Sequence, residues 1–331
     1  MTNMRRQGTP RRVHYFEHGV AEPVQRAIAE RHGLWDDGRQ ASQEAEWERA
    51  AALHQFLGHE FFRVFPPKAR LEAPKIDGQW VNATTGAVQD WDDLERLNWH
   101  GPEAADLAVL EFYERHLPEN MRVFHVVDVW EVVRDAMGFE TVCVALYTKP
   151  ELVTELLRRV GGFVESVVSA CCDFDCYGGV YLGDDMAYKT GLMIPPDAIR
   201  THIMPWHERI AAVAHEKGKL FLFHSCGQMY ELMDEYIDRV GVDAKHSFED
   251  NIMPVTDAKR RFGDRVSLLG GIDVDLLARG DEHSIRAEVR ETLEACQPGG
   301  GYFLGSGNWV TSYVGPENYL VMLDEARRWQ G

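Results

Sequence analysis

Short apolar runs and longer amphipathic stretches alternate along this chain. The short runs lie at Val13 to Phe16, Phe61 to Phe65, Arg122 to Val127, Gly179 to Gly183, Lys219 to His224, Val242 to His246, Arg265 to Gly270 and Tyr302 to Gly305. Their length and their β-branched and aromatic content suit strands. Between them lie helical patterns such as Pro150 to Val168, Pro196 to Lys217 and Asp281 to Ala295, with proline or an acid at the start and glycine near several ends. Strands separated by helices in this way build βα units, and about eight of them is the number that closes a parallel barrel. The pattern predicts an α/β fold, a single (β/α)8 TIM-type barrel domain over residues 1–331. The stretch from Pro67 to Asn98, rich in Gly, Asp, Thr and Trp, interrupts the alternation and reads as an irregular excursion without catalytic residues.

Composition narrows the possible partners. With 331 residues, 45% of them hydrophobic, the chain can bury a large core. No run of about 18 apolar residues exists to span a bilayer, and Met1 to Arg12 is polar with no apolar stretch behind it, so a cytoplasmic protein is expected. Six cysteines without a secretory signal do not read as a disulfide framework. Three of them crowd into "CCDFDC", which precedes its strand and so belongs at the stability end of a barrel. The formal net charge of -18 argues against nucleic acid and anionic lipid. A small molecule or another protein remains as the partner.

Barrel chemistry gathers where strands end, and those ends are polar here: Glu17 and His18, Pro66, Asp128, Asp184 and Asp185, His224 and Cys226, Lys245 and His246, Gly271 with Asp273, Ser306 with Asn308. Successive residues point to opposite faces, so one of Asp184 and Asp185 faces the axis as an acid, base or orienting carboxylate, and the other is free to cap the following segment. His246 reads as a substrate contact or proton-transfer group, or as a satisfied rim histidine. His224 and Cys226, two apart, leave the same face and together have the softness of a zinc site. A buried thiol beside a hydrogen-bonded histidine would give the same letters. Tyr188 and Lys189 lie on the loop after the aspartates, and Asp273 follows the glycines of "GGID". Trp130, Trp309 and Tyr313 could wall a flat substrate or pack the core.

The segment "YLGDDMAYKTGLMIPPDAIRTHIMPWHERIAAVAHEKGKLFLFHSCG", with "VGVDAKHSF", "LLGGIDVD" and "LGSGNWVTSYVGPENY" after it, resembles the uroporphyrinogen decarboxylase superfamily, especially its corrinoid-linked methyltransferase branch. The likeness thins to "RRQGTPRRVHYFE" and "LGHEFFRVFPP" towards the N-terminus. Two departures set the chain apart from the decarboxylase proper. The Arg-Gln-Ala-Gly-Arg signature that holds the porphyrinogen carboxylates is missing. The aspartate that organises the pyrrole NH groups falls at Glu60, and the late histidine falls at Ser306, which leaves these two as altered substrate-binding positions.

The resemblance implies zinc at His224 and Cys226, the positions that match the methyltransferase ligands. The cysteine that completes the set in those relatives falls at Asn308, a poor ligand, with Asp184, Asp185, His246 and Glu249 as possible substitutes. A neutral third ligand would leave the ion more electropositive than two thiolates do, which suits polarising a leaving group. The implied activity is transfer of a methyl group from a small O- or N-methylated substrate to cobalamin carried on a separate corrinoid protein. Asp185 or His246 would assist in proton transfer, and Tyr188, Asp273, Ser306 and Glu60 would contact substrate. Decarboxylation of a porphyrinogen or another acid, and ligand binding without turnover, are the alternative readings.

Overall fold

The computed structural model describes residues 3–35, 42–72 and 86–330. The middle of the expected excursion, 73–85, lies outside the described residues. In chain order the strands are β1 (Phe61–Arg63), β2 (Arg122–Val127), β3 (Tyr177–Leu182), β4 (Ala187–Tyr188), β5 (Gly191–Leu192), β6 (Leu220–His224), β7 (Ala244–His246), β8 (Ser267–Leu269) and β9 (Tyr302–Phe303). Each of the eight predicted runs contains or overlaps a strand or, for Val13 to Phe16, holds a pair of bridging residues. The added hairpin β4–β5 lies in the loop after the paired aspartates. No helix among the described residues is long and apolar enough to cross a membrane.

The chain divides into two compact units that interleave in sequence. One comprises Met1–Val64, Phe112–Phe124 and Asp243–Gly331; the other comprises Phe65–Glu111 and His125–Val242. In the first unit, Tyr15 and Phe16 bridge in parallel to Leu304 and Phe61. From there, β1 pairs with the start of β2, while β9 pairs with β8 and β8 with β7, all in parallel. Phe16 is fully buried and stacks on Phe124 at 5.3 Å. Asn3 ties the start of the chain to this sheet, its amide donating to the Tyr302 carbonyl at 2.8 Å.

In the second unit β3 and β6 run parallel with Leu182 opposite Phe223. Both strands are buried along their whole length, as a parallel strand covered on two faces must be. The 22-residue helix Pro150–Cys171 opens on its proline, where no amide donor is lost. It buries Leu152, Leu156, Val160, Val164 and Val167, one every three or four residues. A Cβ at Gly161 would sit 2.3 Å from the Trp206 ring, so the glycine lets the helix approach Trp206 closely. The helix ends in Cys171 and Cys172; desolvation pushes the Cys172 thiol up to about 11, so both it and buried Cys171 are inert thiols rather than nucleophiles.

Candidate functional site

The register of β3 and β6 places the chain leaving both strands at the same end and level, and this brings Asp185 and Cys226 together. Asp185 Oδ1 accepts the Cys226 amide at 2.7 Å. Cys226 Sγ lies 3.4 Å from His224 Nε2, and Asp185 Oδ1 lies 3.7 Å from the same nitrogen. One ligand atom from each of Asp185, His224 and Cys226 falls within 4.8 Å of the others. Zinc held tetrahedrally by nitrogen or oxygen at about 2.0–2.1 Å and sulfur at about 2.3 Å requires ligand separations of about 3.4–3.6 Å. The donor set suits that ion in chemistry; the Cys226–His224 separation meets the requirement, and Asp185 Oδ1 lies just beyond it at 3.7 Å from the nitrogen.

The ring of His224 is buried and aimed. Its Nδ1 pairs with the buried Tyr181 hydroxyl at 3.1 Å, which leaves Nε2 facing the thiol and the carboxylate. A partner on the far nitrogen fixes tautomer and orientation, so Tyr181→Phe is expected to weaken zinc by roughly 10-fold without removing it. Chelator competition on the two proteins checks this; equal affinities would mean that the hydroxyl does not orient the ligand.

Gly227 comes next with φ +80, and a Cβ there would meet the Ala187 carbonyl oxygen at 2.4 Å. The β4–β5 hairpin therefore rests directly on the turn that carries Cys226, and the Gln228 amide donates to the Tyr188 carbonyl at 2.9 Å. The Tyr188 side chain is exposed on that hairpin.

Asp184 is put to another use than the catalytic one expected of it. It is fully buried and accepts the amides of Val129, Trp130 and Glu131 at 3.0–3.1 Å, with His207 Nε2 at 2.8 Å. These amides open the helix Trp130–Met137, so Asp184 caps a preceding helix across the unit rather than the segment just after it. Burial alone would raise its pKa; the His207 bond and charge and the backbone amides reverse that and hold it below the ordinary value.

The other expected site residues belong to the first unit. His246 is fully buried, and burial first, then His18 and Lys245, drives its pKa well down, so the imidazole is neutral. It stacks on His18 at 5.6 Å and its Nε2 lies 3.4 Å from the Ser306 carbonyl oxygen. Ser306 is buried and bonds to Glu17. Asp273 caps the helix Val274–Arg279, accepting the Asp275 amide at 2.6 Å. Asn308 Oδ1 accepts the Trp309 amide at 2.8 Å. The third-ligand position expected of Asn308 is offered by Asp185, one of the foreseen substitutes and an anionic donor where the amide is a neutral one.

Glu60 requires a correction. It precedes β1 and therefore sits at the N-terminal end of the parallel strands, opposite to the end where the strand-terminal polar residues cluster. There it bonds His14 Nδ1 at 2.7 Å, pairs with Arg12, and lines a cavity of about 630 Å³ with Arg122 and Asn120. Burial would raise its pKa, but the His14 bond and the His14 and Arg12 charges hold it low. Its identity therefore says nothing about porphyrinogen binding.

Two groups escaped the sequence reading as site residues. Glu131 lies in the first turn of the helix that Asp184 caps; burial pushes its carboxyl to about 8 despite Arg134, with Asp128, Asp184 and Asp185 adding to the rise. No residue pattern announces it, because helical first turns carry acids routinely. Glu17, visible as a strand-end acid, is buried and pushed to about 8 as well.

The model of the family described as "Uroporphyrinogen decarboxylase (URO-D)" matches residues 127–329. Uroporphyrinogen decarboxylases from Bordetella petrii and Methylococcus capsulatus are 27% and 29% identical over 209 and 197 residues. Those matches cover 58% and 56% of this chain and 52% and 51% of the relatives. The chain thus spans about half the length of the curated relatives it matches. A solved methyltransferase from Methanosarcina mazei superposes with a TM-score of 0.68 at 17% identity, covering 99% of this chain and 96% of that one. At that identity the likeness shows the fold alone, and the fold class is the α/β barrel that the alternation of strands and helices predicts.

Proposed function

Because the chain belongs to the uroporphyrinogen decarboxylase family of enzymes, we propose that its Asp185, His224 and Cys226 serve a methyltransferase that moves a methyl group from a small O- or N-methylated substrate to a separate corrinoid protein. The observation that carries the reading is the three-donor group at the ends of β3 and β6, with Cys226 Sγ and Asp185 Oδ1 lying 3.4 and 3.7 Å from His224 Nε2. When bound, zinc supplies a Lewis acid that draws charge from a leaving oxygen or nitrogen. Cys226 contributes the soft anionic donor, His224 the imidazole turned by Tyr181, and Asp185 a hard oxygen where the resembling methyltransferases place a second sulfur. A carboxylate passes less charge to the ion than a thiolate does, and so favours the methyl-donor half-reaction. Glu131, in the same unit and raised to about 8 by burial, is our candidate proton donor at neutral pH.

The names of the curated relatives favour decarboxylation as the second reading. The missing arginine signature weighs against it, since a polycarboxylate held by an anionic protein needs bidentate guanidinium partners. Uroporphyrinogen III is therefore expected to remain unchanged under anaerobic incubation, and coproporphyrinogen appearing at an enzymatic rate would overturn the proposal. The direct test is single-turnover methylation of a reduced corrinoid protein from a panel of methoxylated and N-methylated small molecules. Zinc-loaded wild type should methylate the corrinoid and Cys226→Ala should not. Binding of a panel member with no transfer by either protein would favour a barrel that binds without turnover.

A further inference from the structure

Buried acids need partners, and the partners of Glu17 determine where its proton is. Ser306 Oγ lies 2.7 Å from Glu17 Oε2 and 2.6 Å from the Asn308 carbonyl oxygen. Both are full O–H···O distances. A hydroxyl has one proton to give, and a backbone carbonyl only accepts. The Ser306 proton therefore points at Asn308, and the short contact with Glu17 needs a second proton, which only the carboxyl can provide. The other carboxyl oxygen accepts the Ser306 amide at 2.8 Å. We propose that Glu17 is held in the folded protein as a neutral carboxylic acid whose O–H donates to Ser306 and so fixes the Ser306–Trp309 turn, making it a positioning residue for that end of the first unit.

The surroundings agree with this assignment. Glu17 is 4% exposed, directly after the Tyr15–Phe16 bridging segment. Gly305 lets that segment close in: a Cβ there would fall 1.8 Å from the Phe16 carbonyl oxygen and 3.1 Å from Glu17 Oε1. The titratable groups that sense Glu17 are the phenols of Tyr302 and Tyr319, both driven up by burial and hence neutral. Desolvation is the leading influence on its charge, offset by the two Ser306 bonds, and pushes the acid to about 8.

The turn so fixed carries aromatic and imidazole groups. Asn308 Oδ1 holds the Trp309 amide, the Trp309 ring meets His18 edge-on at 5.4 Å with the Arg63 guanidinium over its face at 5.8 Å, and the Ser306 carbonyl faces His246. Ionising Glu17 would set two acceptors against one Ser306 proton. The proposal concerns the folded protein itself and does not depend on the reaction assigned above.

The sign of the linkage comes from a folded value raised above the unfolded one. The stabilising protonation is fully present below the unfolded carboxyl range and is lost as pH rises through about 8. Folding thus takes up a proton in that window. Glu17→Gln mimics the neutral acid: its amide N–H replaces the O–H towards Ser306, its carbonyl still accepts the Ser306 amide, and it does not titrate. Urea unfolding between about pH 5 and 8 should show the wild-type unfolding constant rising about tenfold per pH unit relative to Glu17→Gln. Parallel profiles would overturn the proposal. Infrared spectra of wild-type protein carrying 13C-labelled glutamate supply a second readout that needs no variant to fold. A protonated-carboxyl band that bleaches as pH rises through about 8 is expected; a glutamate pool fully ionised at neutral pH would overturn the assignment. Glu131 contributes a like band, and Glu131→Gln protein should retain the part due to Glu17.

Discussion

Asp184→Ala is expected to destabilise the protein by about 4 kcal/mol or more. The substitution leaves the amides of Val129, Trp130 and Glu131 and the Nε2 of His207 without their shared acceptor in a site with no solvent access. Each stranded buried donor costs about 1–3 kcal/mol, against a total stability on the order of 5–15 kcal/mol. Asp185→Ala, at a partly exposed position, should cost under about 1 kcal/mol. Urea unfolding of the two variants measures the contrast, and comparable midpoints would mean that the cap is not what holds the helix Trp130–Met137 in place. Asp184 also has a pH signature. Its folded pKa is depressed, so its contribution is present above the ordinary aspartate value of 3.8 and is lost as pH falls through the folded one. Asp184→Asn should flatten the acid limb of the stability profile, below about pH 4.

Zinc behaves in the opposite way. Purified protein is expected to take up about one zinc per chain, and Cys226→Ala should lower its affinity by more than about 100-fold, beyond what loss of an outer partner such as the Tyr181 hydroxyl costs. The metal-free variant should unfold at the same urea concentration as metal-free wild type, because Cys226 is only half-buried and lies past the end of its strand. Elemental analysis after dialysis, with chelator competition for the affinity, decides the matter. Zinc retained by Cys226→Ala at the wild-type level would remove this group from consideration, and the proposed methyl transfer would lose the observation on which it rests.

How far the sequence could be read depended on whether a residue's role is local. The strands were legible because a buried parallel strand is a continuous apolar run, and the helix Pro150–Cys171 because its apolar spacing and its proline are local signals. His224 and Cys226 were legible as a pair because two-residue spacing on a strand fixes their common side. The third donor was legible only as one of four substitutes: the choice of Asp185 comes through the register of β3 against β6, which the local sequence does not print. The partner of Asp184 is likewise a helix more than fifty residues earlier in the chain, invisible to any rule about the residues next to an aspartate. The likeness around "LGHEFFRVFPP" is too faint to place Glu60, and strand direction decides its position instead. The residue before a strand lies at the wrong end for chemistry, whatever letter it aligns with. The acid state of Glu17 rests on a proton count at Ser306 and needs coordinates.

The first unit draws on stretches of chain that the ribosome makes far apart in time. Asn3 bonds to Tyr302, 299 residues later, and the bridging partners Tyr15 and Leu304 are separated by nearly as much. At roughly 5–20 residues per second, the Tyr15–Phe16 edge waits on the order of 15–60 s for Leu304 to emerge. During that interval His125–Val242, most of the second unit, is already complete and can settle around β3 and β6. Synthesis therefore imposes an order, with the Asp185, His224 and Cys226 group assembled before the sheet that includes β8 and β9 can close. The exposed apolar edge at Tyr15–Phe16 is what a nascent-chain chaperone would have to cover.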